Sequence, residues 1–174
     1  MTKYFFNNGE QIDLFNKNSK AFHYTQECMV VDLLNLLNLP FDISVLDPCS
    51  GNGYKPWFNN FNVKEKYECE LDDGNNFLLY DKKVDWVIGN PPYHISWEFT
   101  KKALDIANIG VAWLINNQAL NSHNTPKRIE YMQSKGFYLQ KMHIVSDKRW
   151  FGRYYFVIYT KNKNDFLTCT RNSY

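Results

Sequence analysis

The sequence contains 174 residues, of which 44% are hydrophobic and 22% are charged. These values are typical of one globular domain and exclude a disordered or fibrous chain. No apolar run approaches the roughly 20 residues that cross a bilayer, and the amino terminus lacks the features of a signal peptide, so we expect a cytoplasmic protein without membrane contact. Residues 1–100 carry 8 Lys or Arg against 14 Asp or Glu, whereas residues 101–174 carry 12 against 4. This basic second part favours a polyanionic partner, although ordinary surface lysines give the same pattern.

Three stretches have the apolar spacing or the terminal residues of helices. The first covers 25–39, the second covers 97–108 with Ser96 as its cap, and the third is opened by Pro126 and closed by Gly136. The apolar face of the first would consist of Met29, Val30, Leu33, Leu34 and Leu37.

Short apolar runs bounded by turn residues predict strands between these helices. The predicted strands are 43–47, 66–71, a short one at 77–80, 84–89, 110–115, 137–145 and 153–161. Strands and helices alternate until the last two strands, which are joined by only a few residues. We therefore predict an α/β fold with a mostly parallel sheet, helices on both faces and a carboxyl-terminal antiparallel strand pair.

The chain divides into three parts on this interpretation. Residues 1–22 would form an amino-terminal arm, 23–161 the folded domain and 162–174 a carboxyl-terminal tail. The four cysteines are scattered without a Cys-x-x-Cys pair, so neither a disulfide framework nor a zinc site is predicted, and we expect no bound metal.

Two strand ends carry unusual loops. The strand at 43–47 runs into "DPCSGNG", in which Gly51 and Gly53 allow the backbone to pass close to a ligand. The strand at 84–89 stops at "NPPY", where two prolines cannot donate to a sheet ladder. Ligands in open α/β sheets bind outside the carboxyl ends of the strands, which is where both loops would lie.

The two motifs together resemble those of the class I S-adenosylmethionine-dependent amino-methyltransferases. "DPCSGNG" is similar to the cofactor loop D-P-x-x-G-x-G of that family, and "NPPY" to its catalytic motif [D/N/S]-P-P-[Y/F/W]. The resemblance covers roughly residues 22–161 and implies a Rossmann-like methyltransferase fold with S-adenosylmethionine as the cofactor. The family often has an aromatic residue after D-P, where this sequence has Cys49.

The resemblance implies a role for each residue of the second motif. The Asn90 side-chain oxygen and the Pro91 carbonyl would each accept one N–H of a planar amine and hold it beside the sulfonium methyl group. Pro91 and Pro92 would fix the backbone, and Tyr93 would stack on the planar group. A base in a duplex must leave the stack before it can reach such a site.

Cofactor contacts follow from the resemblance position by position. Glu70 would accept hydrogen bonds from the ribose, with Asp72 and Asp73 as alternatives, and Thr25 would lie near the cofactor's carboxylate. The full predicted set is Thr25, Asp47, Pro48, Gly51, Gly53, Glu70, Asn76 and Phe77.

The sequence leaves several acceptors of the methyl group possible, because fold and cofactor do not determine the acceptor. The "NPPY" form is most associated with adenine N6 in DNA. RNA bases, protein glutamine and a catalytically silent partner subunit are the alternatives. The basic residues expected to contact phosphates are Lys127, Arg128, Lys148, Arg149 and Arg153. No segment is long enough for a separate recognition domain, so we expect low sequence specificity, a very short target, or a partner subunit or homodimer that supplies recognition.

Overall fold

The structure is a computed structural model that describes residues 4–5, 11–12, 25–51, 53–146, 152–163 and 167–173. Most of the predicted amino-terminal arm lies outside these residues. Two of the basic residues predicted to contact phosphate, Lys148 and Arg149, also lie outside them.

The described residues form five α-helices and nine strands. The helices are α1 (Glu27–Asn35), α2 (Pro56–Asn60), α3 (Ser96–Ile106), α4 (Asn117–His123) and α5 (Pro126–Ser134). The strands are β1 (Tyr4–Phe5), β2 (Gln11–Ile12), β3 (Ser44–Asp47), β4 (Glu65–Glu68), β5 (Val84–Gly89), β6 (Ala107–Asn116), β7 (Tyr138–Ser146), β8 (Tyr154–Thr160) and β9 (Thr168–Ser173). None of the described helices is long and apolar enough to span a bilayer.

Seven strands form one sheet in the order β4-β3-β5-β6-β8-β7-β9, and β1 pairs separately with β2. Strands β4, β3, β5 and β6 are mutually parallel, whereas β8 is antiparallel to both of its neighbours. The predicted mostly parallel sheet and its carboxyl-terminal antiparallel pair are confirmed. The chain leaves β3 towards β4 and returns to β5 on the other side of β3. The carboxyl ends of β3 and β5 therefore flank a topological switch point, the place where α/β sheets bind ligands.

Helices cover both faces of this sheet, as predicted. On one face, α1 and α2 pack with Val45 of β3 and Ile88 of β5. On the other face, α3, α4 and α5 pack with Leu46 and Val87 of the same strands. Successive strand residues enter opposite cores because side chains alternate across a sheet. Because helices cover both faces, the edge at the strand ends is the place left for a ligand.

Three local predictions were wrong: the type of one element, the end of one strand and the cap of one helix. The stretch 77–80 is a 3-10 turn rather than a strand, because the Asn76 side chain accepts a hydrogen bond from the Leu78 N–H at 3.0 Å. The second predicted strand ends at Glu68, which puts Glu70 in the following turn. Ser96 does not cap α3: the 3-10 turn Tyr93–Ile95 runs directly into the helix.

Helix α1 ends before Pro40 because the chain turns at Asn38, whose φ of 47° lies in the left-handed region. Five elements were not predicted: the short strands β1 and β2, the short helix α2, helix α4 and strand β9. Helix α4 follows β6 directly. Strand β9 lies in the segment predicted to be a tail, and it pairs in parallel with residues Lys141 to Ser146 of β7. The division into arm, domain and tail otherwise stays a prediction.

Replacing Gly110 with alanine is expected to destabilise the sheet by about 1–3 kcal/mol, the usual cost of overpacking a core. A Cβ atom at Gly110 would lie 2.4 Å from Cζ3 of the Trp86 ring, and Trp86 is 8% exposed. Urea denaturation followed by circular dichroism measures the change. The same substitution in a Trp86→Leu background should cost much less, because the ring that blocks the new methyl group is gone. An equal cost in both backgrounds would contradict this packing.

Candidate active site

The loops that follow β3 and β5 contact each other at the carboxyl edge of the sheet. The Cys49 thiol donates to the Asn90 carbonyl oxygen at an Sγ–O distance of 3.1 Å. Gly89, the last residue of β5, lies against the β3 loop: a Cβ atom there would be 3.1 Å from Asp47 Oδ1 and from Pro48 Cδ. The "DPCSGNG" and "NPPY" loops thus lie side by side, and that they form one site stays a prediction.

Backbone groups hold the first loop against the turn that follows β4. The Ser50 N–H donates to the Cys69 carbonyl at 3.0 Å, and the Gly51 N–H donates to Glu70 Oε2 at 2.7 Å. Gly51 and Gly53 have φ values of 89° and 78°, which only glycine adopts at little cost. The glycines therefore permit a turn that brings the Glu70 carboxylate next to the loop.

Asp47 is a fully buried acid at the base of the site. Its Oδ1 accepts a hydrogen bond from the Cys49 N–H at 3.2 Å. Burial raises the pKa of Asp47 to about 7, and the nearby charges of Glu68 and Glu70 act in the same direction. Lys55 neutralises part of this field through a 2.6 Å ion pair with Glu68. The acidic surroundings suit a ligand with positive charge.

Asn90 is held from two sides. Its main-chain carbonyl accepts the Cys49 thiol, and its side-chain Nδ2 lies 3.3 Å from Thr25 Oγ1. The Thr25 hydroxyl is 2% exposed and also accepts a hydrogen bond from Trp57 Nε1 at 3.3 Å. The structure therefore brings Thr25 to Asn90, at the edge of the sheet where the "DPCSGNG" loop lies.

Tyr93 lies just beyond the carboxyl end of β5. It begins the 3-10 turn Tyr93–Ile95, and its ring lies 6.0 Å from that of Tyr154 at a tilt of 52°. Burial raises the pKa of the Tyr93 phenol, the Tyr154 hydroxyl adds to this rise, and the Asn90 side chain opposes it. Pro91 is buried and Pro92 half-buried, so the turn is anchored in the protein.

The second group of predicted cofactor residues lies around the turn after β4. Glu70 is half-buried and bonded to Gly51. Asn76 caps the 3-10 turn at 77–79, and Phe77, at 2% exposure, packs on Phe99 with ring centroids 5.0 Å apart. Asp72 and Asp73 are exposed. Among these three acids, only Glu70 makes a hydrogen bond to the glycine-containing loop.

The predicted phosphate-contacting residues differ in their surroundings. Arg153 is exposed and directly precedes Tyr154, which pairs with Asn116 at the carboxyl edge. Lys127 is exposed on the first turn of α5. Arg128 instead packs within the protein, with its guanidinium 4.7 Å from the Trp97 ring centroid and bonded to the Ser122 hydroxyl.

Sequence reasoning missed three residues of this site. Cys49 was noted only as a departure from the family, Trp57 was not considered, and Tyr154 was treated as part of a strand. Each lies far along the chain from its partner, so residue spacing carries no signal for it. The proline at the start of α2, directly before Trp57, is the one local indication of a helix there.

Comparison with known proteins identifies the fold. No protein-family model and no curated protein matches the sequence. A protein from Listeria monocytogenes assigned to the class I S-adenosylmethionine-dependent methyltransferases is similar in structure, with a TM-score of 0.61 and 14% identity over 86% of this chain and 68% of that one. A modification subunit assigned to a type I restriction enzyme of Vibrio vulnificus has a TM-score of 0.60 and 12% identity, over 86% of this chain and 46% of that one. The 23S rRNA methyltransferase ErmE has a TM-score of 0.60 and 13% identity, over 80% of this chain and 70% of that one.

The protein therefore has the Rossmann-like fold of the class I methyltransferases, as the resemblance implied. Its candidate site lies at the switch point of that fold, where a glycine-rich acidic loop meets an Asn-Pro-Pro-Tyr turn. The arrangement can hold a cationic ligand beside a group of hydrogen-bond acceptors.

Proposed function

We propose that this protein is an S-adenosylmethionine-dependent methyltransferase that modifies an exocyclic amine, namely N6 of adenine in DNA. The contact between the two loops carries the proposal: the Cys49 thiol reaches the Asn90 carbonyl, and Gly89 lies against Asp47. A donor bound at the first loop and an amine bound at the second would be neighbours. The methyltransferase fold itself is supported by the structural neighbours.

The residues around the first loop fit S-adenosylmethionine. When bound, this cofactor supplies an electrophilic methyl group on a sulfonium centre. Glu70 would provide negative charge, and Asp47 would acquire it as its proton is released, beside a loop whose glycines allow close backbone approach. Glu70, which accepts a hydrogen bond from the Gly51 N–H, would also accept hydrogen bonds from ribose hydroxyls, and Gly51 and Gly53 would border the methionine part.

The second loop would prepare the acceptor. The Asn90 side-chain oxygen and the Pro91 carbonyl would each accept one N–H of the amine, which would hold the nitrogen and direct its lone pair at the methyl carbon. Transfer would form the N–C bond as the S–C bond breaks, with S-adenosylhomocysteine as the leaving group, and the methylated nitrogen would release one proton to water. Rigidity matters because the help comes from position rather than from a strong base. Pro91 and Pro92 supply that rigidity.

Adenine in DNA is proposed as the acceptor on three grounds. The motif has Asn before the two prolines, the carboxyl-terminal part is basic, and the structural neighbours include a restriction-enzyme modification subunit. The base would be extruded from the duplex into the site, with Tyr93 stacked on it. A partner subunit or a second copy would supply target recognition.

Radiolabelled S-adenosylmethionine tests the proposal when it is incubated with separate pools of duplex DNA, single-stranded DNA, RNA and protein extract. Label in DNA that digests to N6-methyladenine nucleoside supports it. Label in RNA or in protein glutamine would show that this other molecule, and not DNA, is the acceptor. Cofactor binding without transfer to any pool would favour a silent partner subunit.

Reversing the charge at Arg153 is expected to weaken DNA binding to all sequences about equally. Arg153 is exposed beside the carboxyl edge, where it can meet a phosphate. The plot of log affinity against log salt should become shallower by about one unit in Arg153→Glu, as expected for one lost phosphate contact. Fluorescence anisotropy with two unrelated duplexes at several salt concentrations measures this.

Lys82→Glu is the matched control, because it changes the net charge equally at the opposite edge of the sheet, two residues before β5 begins. An unchanged salt slope in Arg153→Glu, or the same change in both variants, would contradict the assignment.

A further inference from the structure

The Asn90 amide is connected to the interior of the protein through two buried side chains. Asn90 Nδ2 and Trp57 Nε1 each lie 3.3 Å from the Thr25 hydroxyl oxygen. Thr25 and Trp57 are both 2% exposed. The indole N–H can only donate, so it occupies one lone pair of the hydroxyl and the amide occupies the other.

The Trp57 side chain, at the interior end of this hydrogen-bonded chain, is anchored in the core. The Trp57 ring is stacked on Phe156 of β8, with centroids 5.7 Å apart and planes 19° from parallel. Phe156 is fully buried in the middle of the sheet. The position of the Thr25 oxygen is therefore defined by the core on one side, while its other neighbour is the loop after β5.

An amide group is planar, so fixing its nitrogen also fixes the direction of its oxygen. With Nδ2 directed at Thr25, the Asn90 side-chain oxygen is directed away from Thr25. A rotated amide would present two donors instead of an acceptor to the incoming amine and would repel its N–H groups. The orientation of this one side chain thus decides whether the site can accept a proton donor.

We propose that Thr25 and Trp57 are positioning residues that lock the Asn90 amide with its oxygen towards the substrate amine. This inference rests on the proposed function, and it assigns to Thr25 a role in holding Asn90 in place of contact with the cofactor.

Three substitutions separate the two roles. Thr25→Val keeps the shape and removes the hydroxyl, Thr25→Ser keeps the hydroxyl, and Trp57→Phe keeps the aromatic ring and removes the N–H. We expect kcat to fall about tenfold in Thr25→Val and about threefold in Trp57→Phe, with the KM for S-adenosylmethionine within about twofold of wild type. Thr25→Ser should restore most of kcat. The double variant Thr25→Val/Trp57→Phe should be no slower than Thr25→Val alone, because both changes act through one oxygen.

The orientation of the amide can be measured without any methyl transfer. The Asn90 side-chain NH2 signals in a 15N-HSQC spectrum, assigned by their absence in Asn90→Ala, should be protected from exchange in the wild type and in Thr25→Ser. They should shift and lose protection in Thr25→Val. Both results together support the positioning role.

Two results would overturn it: unchanged kcat and unchanged Asn90 signals in Thr25→Val, or a raised KM for S-adenosylmethionine with kcat intact, which would leave Thr25 a cofactor contact only. A wild-type protein that transfers no methyl group would overturn the proposed function instead. The NMR comparison would still decide whether Thr25 holds Asn90.

Discussion

Replacing Asn90 with alanine is expected to lower kcat for methyl transfer by about 10²–10³-fold, the usual effect of removing one preorganised hydrogen-bonding group from a reaction centre. The amine would lose one of its two acceptors and the orientation that this acceptor imposes. The affinity for S-adenosylmethionine should stay within about twofold of wild type, because the cofactor loop is held by separate contacts of Ser50 and Gly51. Single-turnover transfer and calorimetric titration of the cofactor measure the two quantities.

Asn35→Ala is the matched control for that experiment. Asn35 is exposed at the end of α1 and takes no part in the site. It should leave both kcat and cofactor affinity unchanged. Equal transfer by Asn90→Ala and wild type would show that the Asn-Pro-Pro-Tyr turn is not the reaction centre.

Binding of S-adenosylmethionine is expected to release a proton from Asp47 and to become tighter as the pH rises. Burial holds the pKa of this acid at about 7 in the free protein. Positive charge on the cofactor stabilises the carboxylate and lowers its pKa. If the bound-state pKa is near the ordinary value, affinity should rise roughly fiftyfold from about pH 5 to about pH 7 and then level off.

Calorimetry at about pH 6.5 in two buffers of different ionisation enthalpy counts the released protons. S-adenosylhomocysteine, which lacks the sulfonium charge, should release fewer. Asp47→Asn should abolish both the proton release and the pH dependence, since its amide does not titrate. A wild-type protein with pH-independent affinity, or an equal proton release in Asp47→Asn, would contradict the role of Asp47.

The raised pKa of Asp47 also makes the free energy of unfolding of the free protein depend on pH. The unfolded chain loses the Asp47 proton near pH 4, whereas the folded protein keeps it to about pH 7. The unfolded state therefore binds fewer protons in this window, and Asp47 lowers the free energy of unfolding as the pH rises through it. Above about pH 7 the effect is constant.

The sequence predicted the central strands and the site loops because their signals are local. The end of β5 falls where predicted, at Gly89, since Pro91 and Pro92 cannot extend a ladder. The glycines after β3 likewise marked a turn with positive φ. Both features depend on the chemistry of consecutive residues.

The sequence did not predict one local side-chain cap or two features that depend on distant partners. The apolar stretch 77–80 has the composition of a strand, but the Asn76 side chain bonds to the backbone and turns it. Strand β9 is polar and exposed, and it exists only through its pairing with β7. The Thr25–Trp57 bond joins residues 32 positions apart.

A crystal structure with S-adenosylmethionine bound tests the central claim most directly, through the distance from the sulfonium methyl carbon to Asn90 Oδ1. An amine within about 3.5 Å of the methyl carbon and about 2.9 Å from Oδ1 requires that the two atoms lie within about 6 Å of each other. We predict a distance in that range, with the cofactor against Gly51 and Glu70. A cofactor whose methyl group points away from Asn90, or that binds elsewhere on the protein, would contradict the account.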